Sequence, residues 1–177
     1  MFNIKPLVIM IALTVFTVHA ALANWTTPEI VTKNKETFIN SMSQCIDRIY
    51  YNQPESRHFP KELIISQAIL ESSWGTSRFA NEANNLFGIR TWDENTDHVK
   101  PITHDGKWYG WGVKAYKYKC DSARDVVRIL NDLHYYESLR YHRDKGADAS
   151  TLAYHLESFS TNPEYGNLLK AIIQSEF

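Results

Sequence analysis

The sequence predicts an α+β domain that is mostly helical and carries one small antiparallel β-lobe. Several segments repeat apolar residues at helical spacing. From Arg90 to Lys119 that stripe is missing, and glycine and aromatic residues are frequent instead. Within this stretch Asp105-Gly106 separates two runs able to pair, which is a hairpin signal.

Met1 to Ala23 reads as a targeting segment: Lys5 gives a positive start, Leu7 to Val18 is apolar apart from threonines, and Ala21-Leu-Ala23 is a small-x-small cleavage site. The apolar run is short of the ~20 residues of a spanning helix, so the mature chain is expected to be periplasmic or secreted and not membrane-bound. Asn24 to Phe177 is the size of one domain, and no Pro-, Gly- or Ser-rich linker divides it. A first helix is expected from Pro28 to Tyr51, with Phe38, Met42, Ile46 and Ile49 facing inward. The polar stretch Asn52 to Phe59 leads to a second helix, opened by Pro60 and stopped by Gly75. Val99 to Thr103 and Trp108 to Tyr118 are the expected strands. A helix then begins at Ser122, which with Asp125 resembles a capping box, and buries Val126, Ile129, Leu130 and Leu133. Tyr135 to Gly146 is polar and rich in aromatics, Ser150 opens a helix carrying Leu152, Leu156 and Phe159, and a last helix starts at Pro163 and packs Leu168, Leu169, Ile172 and Ile173.

Composition excludes some partners. The chain has 19 basic and 20 acidic residues, and loss of Lys5 leaves a formal charge near −2, so no basic field recruits nucleic acid or an anionic membrane. A polymeric partner must be held by shape and hydrogen bonds. Cys45 and Cys120 have no metal-ligand spacing, and no cofactor or metal is expected. The two thiols can form one disulfide in an oxidising compartment, but Cys45 also lies on the apolar stripe of the first helix, which suits a buried free thiol.

The chemistry concentrates in Leu63 to Ile89. Ile64, Gln67, Ala68 and Glu71 fall at i, i+3, i+4 and i+7, so a carboxylate ends an inward-leaning helix face. A glutamate near a helix end is commonly a solvated or ion-paired residue. On this face, however, partial burial raises its pKa toward the range of a general acid. The string Gln67-Ala-Ile-Leu-Glu-Ser-Ser-Trp-Gly-Thr-Ser-Arg-Phe79, followed by Asn85-Leu-Phe-Gly88, resembles the signature of the glucosaminidases of glycoside hydrolase family 73, in their Bax-like branch. The resemblance implies a lysozyme-like domain whose β-lobe forms one wall of a glycan cleft. It implies a peptidoglycan hydrolase, an endo-β-N-acetylglucosaminidase acting as a monomer on the glycan strand, with Glu71 as the acid.

Glycoside hydrolysis commonly needs a second carboxylate, and Asp93, Glu94, Asp97 and Asp105 are candidates, with Asp105 preferred by its place in the lobe. Asp before Gly is also ordinary turn chemistry. The family's substrate carries a 2-acetamido group that can serve as the nucleophile instead. Near the C-terminus, Phe159-Ser-Thr161 through Pro163-Glu-Tyr165 stands where the family places a tyrosine facing the active site. Phe159 has no hydroxyl, so either Tyr154 or Tyr165 supplies the phenol or activity is compromised. With aromatics at 13% of the chain, a few rings are expected on sugar and the rest in the core; Trp74, Phe87, Phe159 and Tyr165 are the expected contacts, with Asn85 either orienting an acetamido group or pinning its loop. A lytic transglycosylase and a non-catalytic wall-binding module are the competing readings.

Overall fold

The computed structural model describes residues 26–177; the targeting segment expected at Met1 to Ala23 lies outside the described residues. Among the described residues, seven α-helices and a three-stranded sheet follow in the order α1 Lys35–Tyr50, α2 Lys61–Ser72, α3 Arg78–Glu82, β1 Arg90–Thr91, β2 His98–Val99, β3 Gly112–Lys114, α4 Lys119–Asp132, α5 Glu137–Asp144, α6 Ala149–Ala153 and α7 Tyr165–Glu176. The mostly helical α+β class therefore holds.

At the centre is α2. Every residue from Leu63 to Ile69 is buried, so this helix is surrounded and not amphipathic. It packs on α1, α4, α6 and α7. Helix α1 presents Phe38, Met42, Cys45, Ile46 and Ile49 to the same core. It begins seven residues later than Pro28 because Asn34 caps it: the Asn34 side chain accepts from the Thr37 N–H at 2.8 Å, and the Thr37 hydroxyl oxygen accepts from the Asn34 N–H at 3.1 Å. A disulfide joins Cys45 of α1 to Cys120 at the start of α4, which resolves the alternative left open by the sequence.

The starts of α4 and α6 also shift, each for a capping reason, and α7 opens at Tyr165 and not at Pro163. Asp121 accepts from the Tyr118 N–H, so α4 opens at Lys119 and not at Ser122. Asp125 is no cap: it takes the Lys114 ammonium, the Tyr116 hydroxyl and Arg128, tying β3 to α4. Asp148, not Ser150, caps α6, through the Thr151 N–H. Helix α7 buries Tyr165, Leu169 and Ile173, while Leu168 is turned outward.

The sheet is smaller than expected. Its order is β1-β3-β2, both pairings antiparallel, with Arg90 opposite Val113 and Val99 also opposite Val113. The chain between β2 and β3 is not a tight hairpin. Ile102–His104 forms a 3-10 turn ended by Asp105 in the left-handed region, at φ 45°, so Val99 to Thr103 does not continue as a strand. Of Trp108 to Tyr118 only Gly112–Lys114 pairs.

Candidate active site

Glu71 occupies the last turn of α2, where the helix leaves the core. The stop comes from three successive left-handed residues, Ser73, Trp74 and Gly75. The Ser72 hydroxyl donates back to the Ala68 carbonyl and accepts from the Gly75 N–H. Only glycine fits at position 75: its φ is +75°, and a Cβ there would lie 2.7 Å from Thr32 Cγ2 and 2.9 Å from the Phe38 ring. This lock fixes the register of Glu71 at the helix end.

The Glu71 side chain is half-buried and opens into a cleft of about 540 Å³. Three segments complete the lining: Phe87 to Arg90 with Trp92 on the β-lobe side, Ile129 in the last turn of α4 with Leu133, Tyr135 and Tyr136 just beyond it, and Ser158 to Thr161 before α7. Burial pushes the Glu71 carboxyl above the usual glutamate range, while a hydrogen bond from Tyr165 pulls it partly back. Tyr165 is 4% exposed, its hydroxyl sits 3.4 Å from Gln67 Nε2, and burial together with the neighbouring Glu71 charge holds the phenol protonated well above its ordinary range. The tyrosine therefore acts as a donor toward the acid.

Tyr165, rather than Tyr154, is thus the phenol beside Glu71. Tyr154 is exposed and its hydroxyl donates to Asn167 Oδ1. Phe159 stacks on Tyr165 with ring centroids 6.0 Å apart and lines the cleft with its remaining face. Phe87 is buried at the cleft wall. Gly88, at φ +64°, passes so close that an added Cβ would lie 3.9 Å from Glu71 Oε2.

Asn85 is 1% exposed, and its amide is fully committed to the loop. Nδ2 donates to the Ile89 and Lys114 carbonyls at 2.9 and 2.8 Å, and Oδ1 accepts from the Phe87 and Ile89 N–H groups, both at 3.1 Å. Of the two roles expected for it, loop pinning is the one its contacts fit. The Ser122 hydroxyl adds a bond from the Leu86 N–H, fastening the same loop to α4. Trp74 does not line the cleft. Its ring packs edge-on against Phe38 at 5.9 Å and lies under the Lys35 ammonium, bracing the turn after α2 against α1.

Among the described residues Glu71 is the only carboxylate lining this cleft. Asp105 is exposed at the end of its 3-10 turn and is not part of the lining. Asp93 closes a turn, accepting from the Asn95 backbone, the Asn95 amide and the Thr96 hydroxyl, which holds its carboxyl below the usual range. The rings of Trp92 and Tyr135, 72% and 63% exposed, border the cleft where a sugar face can stack, the Tyr135 ring lying with its centroid 3.9 Å from that of His134. The Phe159 to Thr161 segment singled out in the sequence does line the cleft, whereas Tyr135, Tyr136 and Ser158 were missed at the sequence level; the paired tyrosines directly after the α4 stripe were the available signal. No group of three or more His, Cys, Asp or Glu side chains able to hold a metal occurs among the described residues.

A helix-borne acid opening into a cleft between a helical body and a small antiparallel lobe defines a lysozyme-like glycoside hydrolase domain. The comparisons agree. The catalytic domain of the autolysin Auto from Listeria monocytogenes superposes with a TM-score of 0.58 at 24% identity, covering 80% of this chain and 83% of that one. Exo-glucosaminidase LytG of Bacillus subtilis is 32% identical over 151 residues, or 79% of this chain and 51% of LytG. Protein bax of Escherichia coli is 29% identical over 122 residues, 65% of this chain and 42% of bax. The chain thus spans about half or less of the length of these curated relatives. The family model for mannosyl-glycoprotein endo-beta-N-acetylglucosaminidase matches residues 47–176, and the chain belongs to this glucosaminidase family, glycoside hydrolase family 73.

Proposed function

We propose that this chain hydrolyses the β-1,4 bonds of peptidoglycan glycan strands as an endo-β-N-acetylglucosaminidase, outside the cytoplasm, with Glu71 as general acid. The observation that carries this is the half-buried Glu71 carboxyl, raised by desolvation and bonded by Tyr165, in an open cleft flanked by exposed aromatic rings. A raised acid keeps its proton to higher pH than an ordinary glutamate and can deliver it to the glycosidic oxygen as the C1–O bond breaks. The leader expected at Met1 to Ala23 supports export to the periplasm or medium. No helix among the described residues is long and apolar enough to cross a membrane.

With one carboxylate in the lining, the second step falls to the substrate. The oxygen of the 2-acetamido group attacks C1 as the leaving sugar departs, forming a cyclic oxazolinium. Water then adds to C1, the ring opens back to the acetamide, and the Glu71 carboxylate recovers a proton from that water. A single acid also serves a lytic transglycosylase, in which the C6 hydroxyl replaces water. Mass analysis of digested peptidoglycan separates the readings. New reducing N-acetylglucosamine ends support the proposal, and 1,6-anhydro ends support transglycosylation. Binding to sacculi with no soluble fragments leaves only a wall-binding module.

A further inference from the structure

Arg90 is the only cation lining the cleft among the described residues, and no carboxylate pairs with it. The pleat accounts for its position. In β1, Thr91 is buried and Arg90 points outward, opposite Val113. Trp111, two residues before Val113, lies diagonally across the pair, and the guanidinium stacks over its ring at 4.1 Å. Trp111 is braced in turn by the buried His104, whose ring meets it edge-on at 4.9 Å. The contact with Trp111 holds the guanidinium in place, and among the described residues no hydrogen bond occupies its N–H donors.

Such an arrangement is not needed to ionise the acid. Burial and the Tyr165 hydroxyl set the state of Glu71, with no contribution from Arg90. A planar, preorganised guanidinium without a protein anion is suited to a carboxylate delivered by a ligand. This rests on the peptidoglycan reading above. We infer that Arg90, held on Trp111, binds a carboxylate carried by the muramic acid residues of the strand, either the lactyl group itself or the stem peptide attached to it, and so selects this polymer over uncharged glucosamine polymers.

The test uses soluble glycan strands with stems intact and strands stripped by an amidase, which frees the lactyl carboxylate. Each is compared with its counterpart in which the carboxylates are converted to methylamides. Binding is measured in the Glu71→Gln background, so that no turnover intervenes. The carboxylate form is expected to bind about tenfold more tightly, the low end for a charge-assisted hydrogen bond. Adding Arg90→Met brings that preference close to one, and Arg90→Lys, which keeps charge but loses the stacked plane, falls between. A preference in stripped strands identifies the lactyl group, and one confined to stem-bearing strands identifies the stem. No preference, or a preference untouched by Arg90→Met, overturns the inference. Hydrolysis by the wild type without an Arg90-dependent preference sinks this inference alone; the preference without any hydrolysis sinks the enzymatic reading alone.

Discussion

The Tyr165 phenol stands beside the Glu71 carboxyl and favours its ionised form, bringing the first turn of α7 to the last turn of α2 at the edge of the cleft. Helices α2 and α7 pack directly against one another, so the core itself brings the two side chains together. Their contact also sets the direction in which the acid responds to mutation.

A phenol that donates to a carboxylate stabilises the ionised form and lowers its pKa. Tyr165→Phe removes that donor while keeping the ring stacked on Phe159. The acid's pKa should then rise further, and the alkaline limb of the pH–kcat profile should move to higher pH. An unchanged limb, or one moved to lower pH, contradicts the contact's role.

Stability should show the same acid. Below the ordinary glutamate pKa, Glu71 is protonated in both folded and unfolded chains and contributes no difference. As pH rises from there toward the raised folded value, the unfolded chain loses its proton first and the folded state is penalised. Glu71→Gln cannot ionise, so its advantage over wild type in urea denaturation should be absent at low pH, grow through that window and then level off. A constant offset at all pH values contradicts a desolvated acid.

Asn85→Ala should cost about 3 kcal/mol, because two backbone N–H groups and two carbonyls lose their partners in a buried loop. The loop carries Phe87 and Gly88 beside Glu71, so activity should fall with stability. Thermal unfolding and kcat on one preparation check both; full stability would mean that the loop is held elsewhere.

The Cys45–Cys120 bond closes a separation of 75 residues. Chain-entropy reasoning gives about 4 kcal/mol for a loop of that size. Denaturant unfolding of Cys45→Ala/Cys120→Ala against wild type should show a loss of this order, and treating the double variant with reductant should change nothing further.

The helical body was legible in the sequence because its stripes are long and strongly periodic, and Glu71 was legible because Trp74-Gly75 ends its helix one turn on. The β-lobe was not. Its strands are two or three residues long, and Trp108, Tyr109 and Trp111, residues that usually favour strands, flank the ladder instead of joining it. Trp74 read as a sugar platform but its left-handed backbone turns the ring toward Phe38. Tyr165 and Phe159 lie six positions apart, and only the fold shows which of them reaches the acid. Arg90 gave no signal at all, since its partner Trp111 is across a strand pairing that periodicity does not reveal.

Hydrolysis rates of wild type and Glu71→Gln on purified peptidoglycan, with both proteins shown folded by circular dichroism, test the central claim most directly. Gln keeps the shape and lacks the proton, so the rate should fall by about 10²–10⁴, the scale of a general acid. A folded Glu71→Gln protein that cleaves as fast as wild type would contradict it.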